Sequence, residues 1–242
     1  MGNLVTQAIV LRRADWRDHD RVLTLLSPTC GRIEAVSRGC RRLNSPLASA
    51  SEVFCCGEYV FYRGKEHATL TSCEISEAYF PLRQDMDKLT LGVYFLNMAE
   101  ACAQENEDCR ALYALLLRSL HYLTYGTQVN PKALCSAYLT CLVQLMGYKP
   151  RLRYCSRCDR EILAQEPMAF EPAGGGICCA RCAGFDAMSF SHPERVWTSH
   201  IFRTGIDGFA DLPPENAPYH QLRRFAEAHL EVNVRSEGLL PD

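Results

Sequence analysis

Two Cys-x-x-Cys pairs, Cys155 with Cys158 and Cys179 with Cys182, separated by 20 residues, restrict this chain more than any other feature. Each Cys-x-x-Cys turn can aim two thiolates at one ion, and two facing turns close a tetrahedral shell of four, the spacing of a zinc ribbon. Four sulfur ligands leave no open coordination position, so the expected cofactor is one structural Zn2+ and not a catalytic one. Between the pairs, residues 168–171 read as a short apolar strand and Gly174, Gly175 and Gly176 as a tight return, a hairpin that would bring the pairs together. Cys178 adjoins Cys179 and offers a second choice of ligand; the two-residue spacing favours Cys179. A pair of disulfides is the alternative to a metal, and compartment weighs against it.

Residues 1–6 show neither a basic n-region nor an apolar h-region, which points to a reducing, cytoplasmic setting. Most of the other ten cysteines, Cys55, Cys73, Cys102, Cys135 and Cys141 among them, lie in apolar runs and read as small core hydrophobes. No apolar run reaches the roughly 18 residues needed to span a bilayer, so no membrane partner is expected. A chain of 242 residues with 48% hydrophobic content suits two domains with real cores.

Five segments of strand character, 6–13, 21–26, 32–37, 52–63 and 68–75, follow one another with turn residues between them and no helical period. They predict a small antiparallel barrel of the OB type over 1–80, with an SH3-like barrel as its rival. From Pro81 the period becomes helical, with Leu82, Met86, Leu89, Val93, Leu96 and Cys102 on one face. Further helices are expected over 109–125, from the Asn130 cap and Pro131 to Gly147, over 193–202 and over 218–235. The reading is therefore an α+β multidomain chain: a five-stranded OB-fold β-barrel as nucleic-acid-binding domain over 1–80, then an α-helical domain over 81–242 with an inserted four-cysteine zinc ribbon over 151–186.

The net charge of -2 conceals an asymmetry. The first 65 residues carry Arg12, Arg13, Arg17, Arg21, Arg32, Arg38, Arg41, Arg42, Arg63 and Lys65 against six acids, so an anionic partner would meet the front of the chain. Arg38, Arg41 and Arg42 share a loop, and Tyr59, Phe61, Tyr62 and Arg63 lie on the next strand, which interleaves phosphate-binding and stacking groups. Barrel packing competes for the same aromatics. Asp15, Asp18 and Asp20 alternate with Arg17, His19 and Arg21 and read as a solvated link. Seven scattered histidines and the absence of a phosphate-binding loop, a nucleophile elbow or a His-Glu-x-x-His motif argue against an enzyme.

The order of features resembles the bacterial RecO recombination mediators, a DNA repair family. The likeness runs through Ala8-Ile9-Val10-Leu11, the link with Asp18, Asp20 and Arg21, Gly31-Arg32, Arg38-Gly39-Cys40-Arg41-Arg42 with Ser45 and Leu47, and Tyr62-Arg63-Gly64. Phe80, Leu82, Arg83 and Asp85, then Gly147, Tyr148 and Pro150, and finally Arg235-Ser236 continue it. Where that family has a lysine before the loop serine, this chain has Asn44. The resemblance implies an N-terminal OB-fold, a helical domain with a zinc ribbon, binding of single- and double-stranded DNA, strand annealing, and action with RecR, single-stranded DNA-binding protein and, indirectly, RecA at the bacterial nucleoid. The DNA-contacting set would be Arg12, Arg13, Arg17, Arg21, Arg38, Arg41, Arg42, Arg63 and Lys65. A protein-interaction scaffold that keeps the ribbon but binds no DNA is the competing reading.

Overall fold

Alternation along the first strands sorts Ala8, Val10, Leu23, Leu25, Ile33, Ala35, Tyr59, Phe61 and Leu70 into one buried set, as the two-residue period of a strand requires. A computed structural model describing residues 2–64 and 67–230 closes these strands into a barrel. The strands are β1 (Gly2–Trp16), β2 (Asp20–Ser27), β3 (Gly31–Ser37), β4 (Cys56–Arg63) and β5 (Ala68–Glu77), in the order β1-β2-β3-β5-β4. The barrel closes through β1 against β4, Gly2 to Ile9 pairing with Arg63 to Cys56. A short parallel contact joins β3 to β5 at Ala35↔Ala68 and Val36↔Thr69. This is the OB-type five-stranded barrel, and the Tyr59 and Phe61 rings, stacked at 5.8 Å, fill it.

The fourth strand begins later than the pattern predicts. Residues 52–55 form a turn, in which Phe54 takes a φ of 70°. Its N–H donates to the carbonyl of Val10, and the Val10 N–H donates to Cys55. These two bonds continue the β1–β4 side of the barrel one step past the Ile9↔Cys56 pair.

The compact unit that holds the barrel extends to Leu120. A 3-10 turn over Phe80–Gln84 precedes α1 (Met86–Cys102), whose N-terminal amides from Asp87 and Lys88 are capped by the Asp85 carboxylate at 3.1 Å. The predicted apolar face of this helix is partly wrong: Met86 is 74% and Val93 38% exposed, while Leu91, Tyr94, Phe95 and Met98 are buried. Gly92 packs on the Phe54 ring, so a single narrow stripe does not describe the helix. Beyond α1 the chain docks on the β2–β3 turn. Arg32 N–H donates to Gln104 at 2.9 Å and Asn106 N–H to Cys30 at 2.9 Å. Gly31, at φ 66°, admits this approach, because a Cβ there would lie 1.9 Å from the Gln104 carbonyl oxygen.

Helix α2 (Arg110–Tyr125) spans the division between the two units, the second of which runs from His121. In the second unit α3 (Pro131–Leu145) is buried along most of its length. Asn130 caps it through Ala133 N–H at 3.0 Å, and Gly147 at φ 84° ends it with a Tyr148 N–H to Val143 bond of 2.8 Å. A three-stranded sheet follows, β6 (Met168–Glu171), β7 (Gly176–Cys179) and β8 (Met188–Phe190), in the order β7-β6-β8. Helix α4 (His192–Thr204) opens on a capping box between Ser191 and Glu194. Helix α5 (Tyr219–His229) buries Leu222 and Phe225 against the rest of the unit. The predicted continuation of α5 to 235, and the Arg235-Ser236 pair, lie outside the described residues.

Candidate nucleic-acid interface and metal centre

The arginine loop after β3 is a fixed series of turns. Asp20 accepts the Gly39 N–H at 2.7 Å, and the His19 carbonyl accepts the Arg41 N–H at 3.1 Å. Cys40 is buried beneath. Arg42 N–H donates to Gly39 and Ser45 N–H to Arg42, each at 3.1 Å, with Gly39 and Asn44 in the left-handed region at φ 65° and 60°. The expected link is shorter than the sequence suggests: Asp15 lies on β1 opposite Arg21 and Asp20 opens β2, which leaves only residues 17–19 as the turn.

The nine basic residues singled out by sequence separate into two groups. Arg12 Nε meets Glu100 Oε1 at 3.0 Å. Arg13 and Arg21 share Glu52 Oε1 at 2.6 and 2.9 Å, and Arg21 also meets Asp15 at 3.2 Å. Burial alone would lower the Arg21 pKa; its bonds to Glu52 and Asp15 outweigh that and raise it. Arg41 lies 3.5 Å from the other Asp15 oxygen. Among the described residues, Arg17, Arg38, Arg42 and Arg63 are exposed and have no carboxylate partner. Lys65 lies outside the described residues.

One of these cations, Arg38, borders a cleft of about 530 Å³ on the barrel. Arg38, Trp16, Tyr62, His67, Thr69 and Thr71 line it. The Arg17 guanidinium lies over the Trp16 ring at 4.3 Å. Tyr59 and Phe61 are fully buried, whereas Tyr62 is 44% exposed, so the strand aromatics divide between filling the barrel and facing the cleft. Trp16 escaped the sequence reading, although its place at the end of β1 beside Arg17 was a usable signal. Aromatic faces with unpaired arginines at their edge suit stacked bases and their phosphates, and this rim is where OB-folds take oligonucleotides.

In the second unit the sulfur atoms of Cys155, Cys158, Cys179 and Cys182 all lie within 4.8 Å of one another. Cys158 and Cys179 are 4.0 Å apart. An ion with sulfur ligands at about 2.3 Å in a tetrahedron needs S···S separations of about 3.8 Å, so the set can hold one metal ion. Cys178 is outside the group: its Sγ points to the Ala169 carbonyl at 3.6 Å. All fourteen cysteines are free.

Two knuckles make this arrangement. In the first, Asp159 at φ 57° folds its N–H back to Cys155 at 3.1 Å; in the second, Cys182 and Ala183 N–H groups reach the Cys179 carbonyl at 2.9 and 3.0 Å. The hairpin register Met168↔Cys179 and Glu171↔Gly176 places the second knuckle. Gly176 is required where the 151 segment joins β7, because a Cβ would lie 2.3 Å from the Arg151 carbonyl oxygen. The electrostatics distinguish this group from the core thiols. Burial pushes Cys73 up to about 12 and Cys102 up to about 11. Burial acts on Cys155 in the same sense, but N–H groups of Cys179, Arg157 and Cys158 outweigh it and hold its pKa at about 6. Cys182, beside the Cys179 and Cys158 sulfurs, is pushed up to about 12. Four thiolates this close need a cation among them to be charged together.

A buried carboxylate joins the two knuckles. Glu171 on β6 accepts Arg157 Nε at 2.7 Å and Gly184 N–H at 2.8 Å. The Arg157 hydrogen bond, against a smaller opposing effect of burial, holds its pKa below the ordinary carboxylate value. A depressed folded-state pKa contributes stability above the unfolded pKa and loses it as pH falls through the folded one. Glu171→Gln should therefore lower the melting temperature most at neutral pH, by the equivalent of about 1 to 3 kcal/mol. The gap from wild type should close below about pH 4, as calorimetry across pH will show; a gap that is constant with pH would exclude the charge as its source.

Residues 1–79 match the family described as Recombination protein O N terminal, and residues 83–237 match Recombination protein O C terminal. Among curated proteins, the chain is 33% identical over 189 residues to the DNA repair protein RecO of Moorella thermoacetica, covering 78% of this chain and 70% of that one. It is 29% identical over 236 residues to the protein of that name from Acetivibrio thermocellus, covering 97% and 93% of the two chains. With its counterpart in Desulforamulus reducens it shares 31% over 235 residues, or 95% and 90%. Among the described residues, no helix is long and apolar enough to cross a membrane.

Proposed function

The chain belongs to the RecO family of DNA repair proteins, and from that premise we propose that it is a non-enzymatic DNA-binding recombination mediator. It binds single- and double-stranded DNA, anneals complementary strands and, together with RecR, helps load RecA on strands covered by single-stranded DNA-binding protein. The setting is the bacterial cytoplasm, at the nucleoid. Residues 1–80 are the DNA-binding domain and 81–242 the helical domain, with the ribbon over 151–186.

The observation that carries this reading is the barrel cleft lined by Trp16, Tyr62 and Arg38, on a unit whose exposed Arg17, Arg38, Arg42 and Arg63 have no carboxylate partner among the described residues. A backbone held by these cations leaves bases free to meet a second strand, which is what annealing needs. Cys155, Cys158, Cys179 and Cys182 would hold one Zn2+, which fixes the ribbon when bound and has no open position for a substrate.

Fluorescence anisotropy with a labelled single strand at several salt concentrations tests the DNA assignment. Log affinity should fall linearly with log salt, with a slope of about 0.7 per phosphate contact. Absence of binding at low salt would refute it in favour of a scaffold that works through proteins alone.

A further inference from the structure

The arginine loop carries a side chain that neither phosphate binding nor packing accounts for. Leu43 is 92% exposed, the most exposed large apolar side chain among the described residues of the first unit. Two other apolar residues of this segment turn inward: Cys40 is buried and Leu47 packs against the barrel core. Leu43 is not adrift on a loose loop. It occupies the outer corner of a turn closed by the 3.1 Å Ser45 N–H to Arg42 bond, with Asn44 at φ 60° as the following corner. The preceding turn is pinned to the barrel through Asp20 and His19. At this corner the Leu43 side chain is left in solvent. Next to it in sequence, Arg42 has no carboxylate partner among the described residues, and Arg41 has only a long contact to Asp15.

A rigid, outward apolar tip next to cations is the kind of arrangement by which DNA-binding proteins press a side chain between base steps while basic residues hold the backbone. We propose that Leu43 is a wedge residue, which inserts beside the terminal base pair where duplex DNA meets a single strand, with Arg42 holding the adjacent phosphate. The inference rests on the DNA-binding reading above and adds a residue and a DNA structure to it. Charge selects DNA over an apolar protein pocket as the occupant, since the same loop carries Arg38, Arg41 and Arg42 just before the tip and no acid.

The test uses the full chain and a duplex with a single-stranded tail, with 2-aminopurine at the junction. Wild type should raise the fluorescence of the junction base, and Leu43→Ser should abolish the rise. The variant should also weaken junction binding about 5-fold or more, the lower range of losing one base-stacking contact. Binding of an untailed single strand should change less than about 2-fold, because the phosphate contacts remain. Leu43→Phe should restore the signal. An equal fluorescence rise in Leu43→Ser and wild type, or no rise in wild type that does bind the junction, would overturn the wedge and leave DNA binding standing. Loss of binding to a protein partner with junction behaviour unchanged would overturn it too. Failure of wild type to bind any DNA at low salt would instead remove the reading on which the wedge rests.

Discussion

Cys155→Ser is expected to unfold the ribbon and to lower the thermal stability of the second unit severely. Structural zinc contributes roughly 10 to 16 kcal/mol of apparent binding energy, which is comparable with the whole stability of a domain, about 5 to 15 kcal/mol. The same should follow from prolonged chelation. Circular dichroism and metal analysis of the purified protein check both, with one equivalent of zinc expected in wild type. Cys178→Ser is the control: its sulfur faces the Ala169 carbonyl, away from the cluster, so zinc content should be unchanged. An unaltered melting profile for Cys155→Ser would refute the structural assignment of the ion.

The second large effect concerns DNA. Sequence alone treats the front arginines as one patch, whereas the ion pairs divide them. Replacing Arg17, Arg38 and Arg42 together by Ala should flatten the plot of log affinity against log salt by about 2, the sum of three single-strand phosphate contacts. Replacing Arg12 and Arg13, each already bound to a glutamate, should leave the slope nearly unchanged. Equal flattening by both sets would mean that the intramolecular pairs open when DNA arrives.

This division shows where sequence reading stops. The four cysteines were legible because metal geometry imposes spacing within a few residues, and the knuckles are local structures. The five strands and the capped α3 were legible because alternation, Asn130 and Pro131 act over short range. The partners of Arg12 and Arg13 lie 88 and 39 residues away, and no local pattern records them. Likewise, Phe54 reads as a strand residue, but it sits in a turn at φ 70° bonded to Val10, 44 positions earlier in the chain, which no local pattern records. The first helix misled for another reason. A helix buried on more than one side has no narrow apolar stripe, so Met86 and Val93 looked inward when Tyr94 and Phe95 are the buried residues. Trp16 was missed because a single aromatic at a strand end has no period.

The seam between β3 and β5 has a consequence for how the barrel yields. It is held by two registered pairs, Ala35↔Ala68 and Val36↔Thr69, where β1 and β4 share eight. Short parallel pairings are the weaker kind, and local opening begins where the fewest bonds must break. Val36 and Thr69 also line the Trp16 cleft. The most compliant line in the wall thus runs under the Trp16 cleft, and on the proposed DNA-binding role it is where the barrel would widen to admit a base while the β1 ladders keep its shape.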